Sequence, residues 1–122
     1  MITKKIVVID DCTLHLQMVK DILEPAGYEV LTADSSIVAN SYIYTTPPPD
    51  LLMVDVEMPM LNGTEKVRLL KQRDKSRDIP TLLMSSKKPE VMASLAQESG
   101  AEGFICKPFD KEKLLATIAG YL

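Results

Sequence analysis

A chain of 122 residues, set against roughly 150 for a typical domain, has room for one compact unit, and 46% hydrophobic with 25% charged residues is the balance of a folded domain. The 17 acidic and 14 basic side chains leave a net charge of −3, which argues against direct binding to nucleic acid or to an anionic membrane. The longest apolar runs, residues 6–9 and 51–54, fall far short of the ~20 residues that span a bilayer.

Met1 to Lys5 lead into Asp10-Asp11 without a secretory apolar stretch, so the expected location is the cytoplasm. Cys12 and Cys106 form no CxxC pair, which leaves a disulfide framework or a zinc site without support.

In chain order, the apolar run 6–9 predicts a strand, and Leu14, Met18, Val19, Ile22 and Leu23 at helical spacing predict a helix behind it. Pro25 and Gly27 end that helix. The mixed run Glu29–Ala33 suits an edge strand, and Val38, Ala39, Tyr42 and Ile43 mark the next helix, closed by Pro47-Pro48-Pro49. Residues 51–54 form a strand, Gly63 breaks the chain, and Val67 with Leu70 follow on one helical face. Then come a strand at 81–84, a helix carrying Val91, Met92, Leu95, Ala96 and Ser99, and the breaker Gly100. A strand at 104–106 leads through Pro108 to a cap at Asp110 and a last helix carrying Leu114, Leu115, Ile118 and Leu122.

Continuous apolar strands read as covered on both faces. Strict βα alternation predicts an α/β domain over residues 1–122, with a parallel five-stranded sheet, right-handed crossovers and helices on both faces.

Ligands of such sheets bind outside the carboxyl ends of the strands. Those ends carry Asp10-Asp11, Asp55, Ser85-Ser86 and Lys107-Pro108. Two carboxylates about 4 Å apart repel by roughly 4 kcal/mol at an effective dielectric of 20, so three in one cleft call for more than a lysine. Mg²⁺ suits a small carboxylate site that keeps waters to exchange for phosphate. Asp10, Asp11 and Asp55 are its expected neighbours. An Asp beside Mg²⁺ can attack a phosphoryl group, with Lys107 and the Ser85 hydroxyl neutralising its oxygens. Asp55, central in the sheet, is the expected nucleophile.

Val-Val-Ile-Asp10-Asp11, Leu-Leu-Met-Val-Asp55 with Met58-Pro59 and Asn62-Gly63, Leu-Leu-Met-Ser85-Ser86, and Gly103-Phe104-Ile-Cys-Lys107-Pro108-Phe109 together resemble the receiver domain of two-component response regulators, in order and spacing over essentially the whole chain. The resemblance implies a flavodoxin-like doubly wound sheet of order 2-1-3-4-5. It implies phosphoryl transfer to Asp55 from a sensor histidine kinase or a histidine phosphotransfer protein, with a cis Lys107-Pro108 bond. It further implies that Glu57 gives the metal its backbone carbonyl, that Ser85 and Phe104 form the switch, and that a downstream protein or output domain reads the face of the fourth helix, fifth strand and fifth helix. Whether phosphorylation also makes a homodimer stays open.

Such a domain catalyses only its own phosphorylation and hydrolysis, so it is not expected to be a turnover enzyme. The chain reads as a stand-alone receiver. Glu57 and Lys87 fall at the mouth of the implied pocket, alongside Ser86, where a Glu57–Lys87 pair would hinder an attacking water.

Plainer readings stand beside these. Asp10-Asp11 could cap a helix, Lys107 could be solvated, Ser85 could end a turn and Phe104 could fill the core. His15 is expected to be exposed and without chemistry. The basic stretch 66–77 reads as a solvated face, and Met18, Met53, Met84 and Met92 as core. Three rival functions are a haloacid dehalogenase-type phosphatase, suggested by Asp55-Val56-Glu57, a flavodoxin, and a degenerate receiver acting as an interaction module. Asp10-Asp11-Cys12-Thr13 would repel an FMN phosphate.

Overall fold

The computed structural model describes residues 3–58 and 61–122; Met1, Ile2 and Pro59-Met60, hence the proline of the Met58-Pro59 motif, lie outside the described residues. The chain alternates β1 (Lys5–Ile9), α1 (Thr13–Leu23), β2 (Glu29–Ala33), α2 (Ser36–Ile43), β3 (Leu51–Asp55), α3 (Gly63–Gln72), β4 (Thr81–Ser85), α4 (Pro89–Ser99), β5 (Gly103–Cys106) and α5 (Lys111–Ala119). The five strands pair in parallel in the order β2-β1-β3-β4-β5, the expected doubly wound arrangement. A two-residue antiparallel ribbon, Glu57–Met58 with Leu61–Asn62, which the apolar pattern did not announce, bridges β3 and α3.

The period-2 alternation of the strands divides the core into two layers. Ile6 and Val8 of β1 face Leu16, Val19 and Leu23 of α1 and Leu114 and Ile118 of α5. Val7 and Ile9 point the other way, with Ala39 and Ile43 of α2, Val67 and Leu70 of α3, and Met92 and Ala96 of α4. Every residue of β3 and β4 is buried, so these runs show no polar alternation. Burying each such aliphatic side chain contributes about 1.5–3 kcal/mol. β2 is at one edge, as its mixed composition suggests, but β5 is the other edge and buries only Ile105; its apolar run is covered less fully than expected.

Three expectations about side-chain placement need correction. The buried stripe of α1 is Leu16, Val19 and Leu23, which at 100° per residue turns Leu14 and Met18 to the opposite side, where they are 65% and 36% exposed. Val38 and Val91 are likewise exposed on α2 and α4. The basic stretch is also not uniformly solvated. Lys66 is only 5% exposed, its ammonium donating to Ser36 Oγ at 2.8 Å and Asn40 Oδ1 at 2.5 Å across the α2–α3 seam. Burial first, and the Arg73 charge second, hold its pKa below the usual lysine value. Further along α3, Lys71 donates to the Ile79 carbonyl at 2.9 Å and pairs with Glu102.

Candidate functional site

β1, β3 and β5 all deliver their last side chains to one end of the sheet, because parallel strands run in register: Ile9 lies opposite Val54, and Asp55 opposite Met84. The loops after β1 and β3 start there. Asp10 is 1% exposed and Asp55 4%, while Asp11 is exposed. One ligand atom from each of these three residues lies within 4.8 Å of the others.

Asp10 serves two neighbours. Its Oδ1 accepts the backbone N–H of Cys12 at 2.9 Å, at the start of α1. Its Oδ2 accepts from Lys107 Nζ at 2.9 Å. The Cys12 N–H belongs to the N-cap residue itself, and no side chain caps the first turn of α1, so the plain capping reading of Asp10-Asp11 does not hold and Asp10 belongs to the pocket. Lys107, 11% exposed at its side chain, follows β5 and precedes a cis bond to Pro108. Its backbone N–H donates to the Ser85 carbonyl at 2.8 Å, and its ammonium also reaches Asp55 Oδ1 at 3.0 Å.

The electrostatics follow from this packing. Burial raises the Asp55 pKa above its ordinary value, the Lys107 hydrogen bond pulls it down, and Asp10 and then Asp11 push it up again; the net direction is upward. For Lys107 burial acts downward, but the hydrogen bonds and charges of Asp10 and Asp55 outweigh it, and the net direction is upward. Lysine neutralises one of three negative charges.

The donor set therefore fits a hard dication. Three carboxylates with two charges uncompensated, open to a cleft of about 360 Å³, are the oxygen ligands and the water space that Mg²⁺ favours.

Ser85 is buried, and its hydroxyl donates to Glu57 Oε1 at 2.8 Å while accepting the Lys87 backbone N–H at 3.1 Å. Lys87 Nζ stands 3.8 Å from the same Glu57 oxygen. The expected Glu57–Lys87 pair is thus present, but the nearer partner of Glu57 is the Ser85 hydroxyl. Ser86 lines the cleft with them. Phe104 lies on β5, half-buried against the α2–α3–α4 layer, away from the carboxylates.

His15 corrects the sequence reading. It lines the cleft, with Nδ1 at 2.9 Å from Lys107 Nζ and 3.4 Å from Asp10 Oδ2. The available signal was its offset from Asp11: in a helix starting at Thr13, the first-turn side chains can lean back over the end of β1. Asp110 caps α5 as expected, accepting from the backbone N–H groups of Glu112 and Lys113.

This geometry and the comparisons with known proteins agree. The response regulator receiver domain model matches residues 6–119, and the chain belongs to that family. It is a CheY-like receiver of two-component signalling, the class of protein that the sequence resemblance implied. The polar-differentiation response regulator DivK of Brucella ovis is 27% identical over 120 residues, 98% of this chain and 97% of that protein. The phosphate regulon transcriptional regulatory protein PhoB of Pseudomonas aeruginosa is 34% identical over 122 residues, all of this chain but 53% of that protein. Among solved structures, the chemotaxis protein CheY4 of Vibrio cholerae aligns with a TM-score of 0.90 at 30% identity, covering 99% of this chain and 100% of that one. No described helix is long and apolar enough to cross a membrane.

Proposed function

We propose that this receiver accepts a phosphoryl group on Asp55 in a Mg²⁺-dependent reaction and passes the signal on by changing the surface its partners bind. The observation that carries this reading is the Lys107 ammonium bridging Asp10 Oδ2 at 2.9 Å and Asp55 Oδ1 at 3.0 Å inside a cluster of three carboxylates. Asp10, Asp11, Asp55 and the Glu57 backbone carbonyl would hold Mg²⁺, which when bound would supply charge neutralisation at the phosphoryl oxygens. With Oδ1 committed to Lys107, Asp55 Oδ2 attacks phosphorus. The bond to the donor breaks in line, P–N from a phosphohistidine or P–O from acetyl phosphate, and its electron pair leaves with imidazole or acetate. Lys107 then turns one N–H from Asp55 Oδ1 to the transferred group.

The donor is a sensor histidine kinase or a histidine phosphotransfer protein, and the setting is the cytoplasm. The chain acts as a switch and not as a turnover enzyme. Capturing the Ser85 hydroxyl for the phosphoryl group requires breaking its bond to Glu57. The space it leaves admits Phe104, and the change reaches a groove of about 470 Å³ between Pro89, Phe104 and Lys113, where a downstream protein or output domain docks.

Intact mass after incubation with acetyl phosphate tests the core of this reading. The expected result is one phosphoryl adduct, dependent on Mg²⁺ and absent from Asp55→Asn. An adduct that survives in Asp55→Asn removes Asp55 as the acceptor. No adduct alongside measurable Mg²⁺ binding leaves the chain as an interaction module.

The Glu57–Lys87 pair guards the mouth of the pocket. Glu57 and Lys87 are 58% and 41% exposed, and an exposed pair is worth at most about 1 kcal/mol, or roughly five-fold in rate. Glu57→Ala and Lys87→Ala are each expected to speed autodephosphorylation about two- to five-fold, as measured by loss of the adduct with time. Unchanged decay in both variants excludes a gating role.

A further inference from the structure

We propose that His15 is a positioning residue of the phosphoacceptor pocket: its neutral imidazole accepts the third proton of the Lys107 ammonium and holds that ammonium facing Asp55. The inference rests on the receiver reading of Asp55 and Lys107 and adds a residue to it.

A lysine ammonium has three N–H donors and no acceptor. Three acceptors surround this one, Asp10 Oδ2 at 2.9 Å, Asp55 Oδ1 at 3.0 Å and His15 Nδ1 at 2.9 Å. A ring nitrogen that close to an ammonium must offer its lone pair, which assigns the histidine proton to Nε2. The ring is steadied from its other side by Phe109, edge to face at 6.2 Å between centroids and 87° between planes. All three protons of Lys107 are then spoken for, and the ammonium has one orientation.

The residue type matters because of charge. A carboxylate at this position would add a fourth negative charge to a pocket that already holds three against one lysine. An apolar side chain would leave one N–H of a nearly buried ammonium to water or to a shared bond. Neutral imidazole supplies the acceptor without the charge. During transfer Lys107 redirects its Asp55 bond to the phosphoryl group, while Asp10 and His15 keep the nitrogen in place. Preorganisation of this kind lowers the barrier without tightening the ion site.

His15 is the only histidine in the chain, so its ¹⁵N signals need no assignment. At pH 8 in metal-free buffer the expected spectrum has a non-protonated Nδ1 and a protonated Nε2. An Nδ1–H tautomer, or an imidazolium paired with Asp10, overturns the proposal. Kinetically, His15→Leu is expected to slow adduct formation from acetyl phosphate about 3- to 10-fold, less than the full worth of a hydrogen bond from a charged donor because Asp10 still holds the ammonium, with the Mg²⁺ Kd from calorimetry unchanged. His15→Asn, whose Oδ1 falls close to the position of Nδ1, restores most of the rate. An unchanged rate in His15→Leu, a matching shift in Mg²⁺ Kd, or no rescue by asparagine each overturns it. If the wild-type chain takes no phosphate at all, the phosphoacceptor reading of Asp55 fails separately, and the tautomer still reports whether Lys107 is held as described.

Discussion

Lys107→Ala is expected to cost about 3 kcal/mol of stability in metal-free buffer at pH 7, because removing one partner of a buried ion pair leaves the other charges uncompensated. Here the orphaned groups are Asp10 and Asp55, whose side chains are 1% and 6% exposed. For a domain of this size that loss is roughly 10 °C in Tm. The pH dependence follows from linkage. Asp55 already has a raised pKa, so the folded state holds its proton more tightly than the unfolded chain does. Stability from this group is therefore greatest below the ordinary aspartate value and is lost as pH rises through the window up to the folded pKa. Removing the Lys107 hydrogen bond widens that window. The Lys107→Ala penalty should accordingly shrink as the pH falls from 7 towards 4.

Lys107 itself contributes in the opposite range. Its raised pKa supplies stability below the ordinary lysine value that disappears as pH rises through the folded one. Urea melts of wild type and Lys107→Ala across pH 4–8, with and without Mg²⁺, check the Asp55 sign, and extending them above the ordinary lysine value of 10.5 checks that of Lys107. Mg²⁺ should recover part of the loss in the variant, since it supplies the positive charge that the lysine removed. A penalty that is flat with pH and indifferent to Mg²⁺ would mean that the lysine acts by packing alone.

The parts of this molecule legible in the sequence are those fixed by the chain's own periodicity. Asp10, Asp55, Ser85 and Lys107 could be placed at one end of the sheet because each ends or follows an apolar run, and parallel strands present equivalent ends together. The placement of helical side chains was less legible. Whether His15 leans into the pocket and Leu14 away from it depends on the phase of α1, and Leu16, not Leu14, sets that phase. Lys66 belongs to a stretch whose composition says solvent, yet its burial is decided by Ser36 and Asn40 on another helix. The bond from Ser85 to Glu57 joins residues 28 apart across the mouth of the cleft, and no spacing rule predicts it.

Gly63 was legible as a break but not as a constraint on the site. It is the first residue of α3, and its N–H donates to the Val56 carbonyl at 3.0 Å. A Cβ there would run into the Asp55 carbonyl oxygen and stand 2.8 Å from both Asp55 C and Val56 Cα. These are backbone atoms of the end of β3 and the residue after it, so no rotamer change relieves the clash, and α3 or the end of β3 has to move. Gly63→Ala is therefore expected to cost about 3 kcal/mol and to slow phosphoryl acceptance on Asp55, while Gly63→Val should fail to fold stably. Gly27 provides the control. Its φ is +99° but nothing lies within 4 Å of a Cβ there, so Gly27→Ala should cost only the ~1–2 kcal/mol of a left-handed residue and leave acceptance unchanged. Chemical denaturation and adduct kinetics on the same samples separate the two effects. If Gly63→Ala loses stability no greater than Gly27→Ala and keeps its rate, the close approach of α3 does not set the position of Asp55; if both fall together, the start of α3 is what holds Asp55 against Lys107.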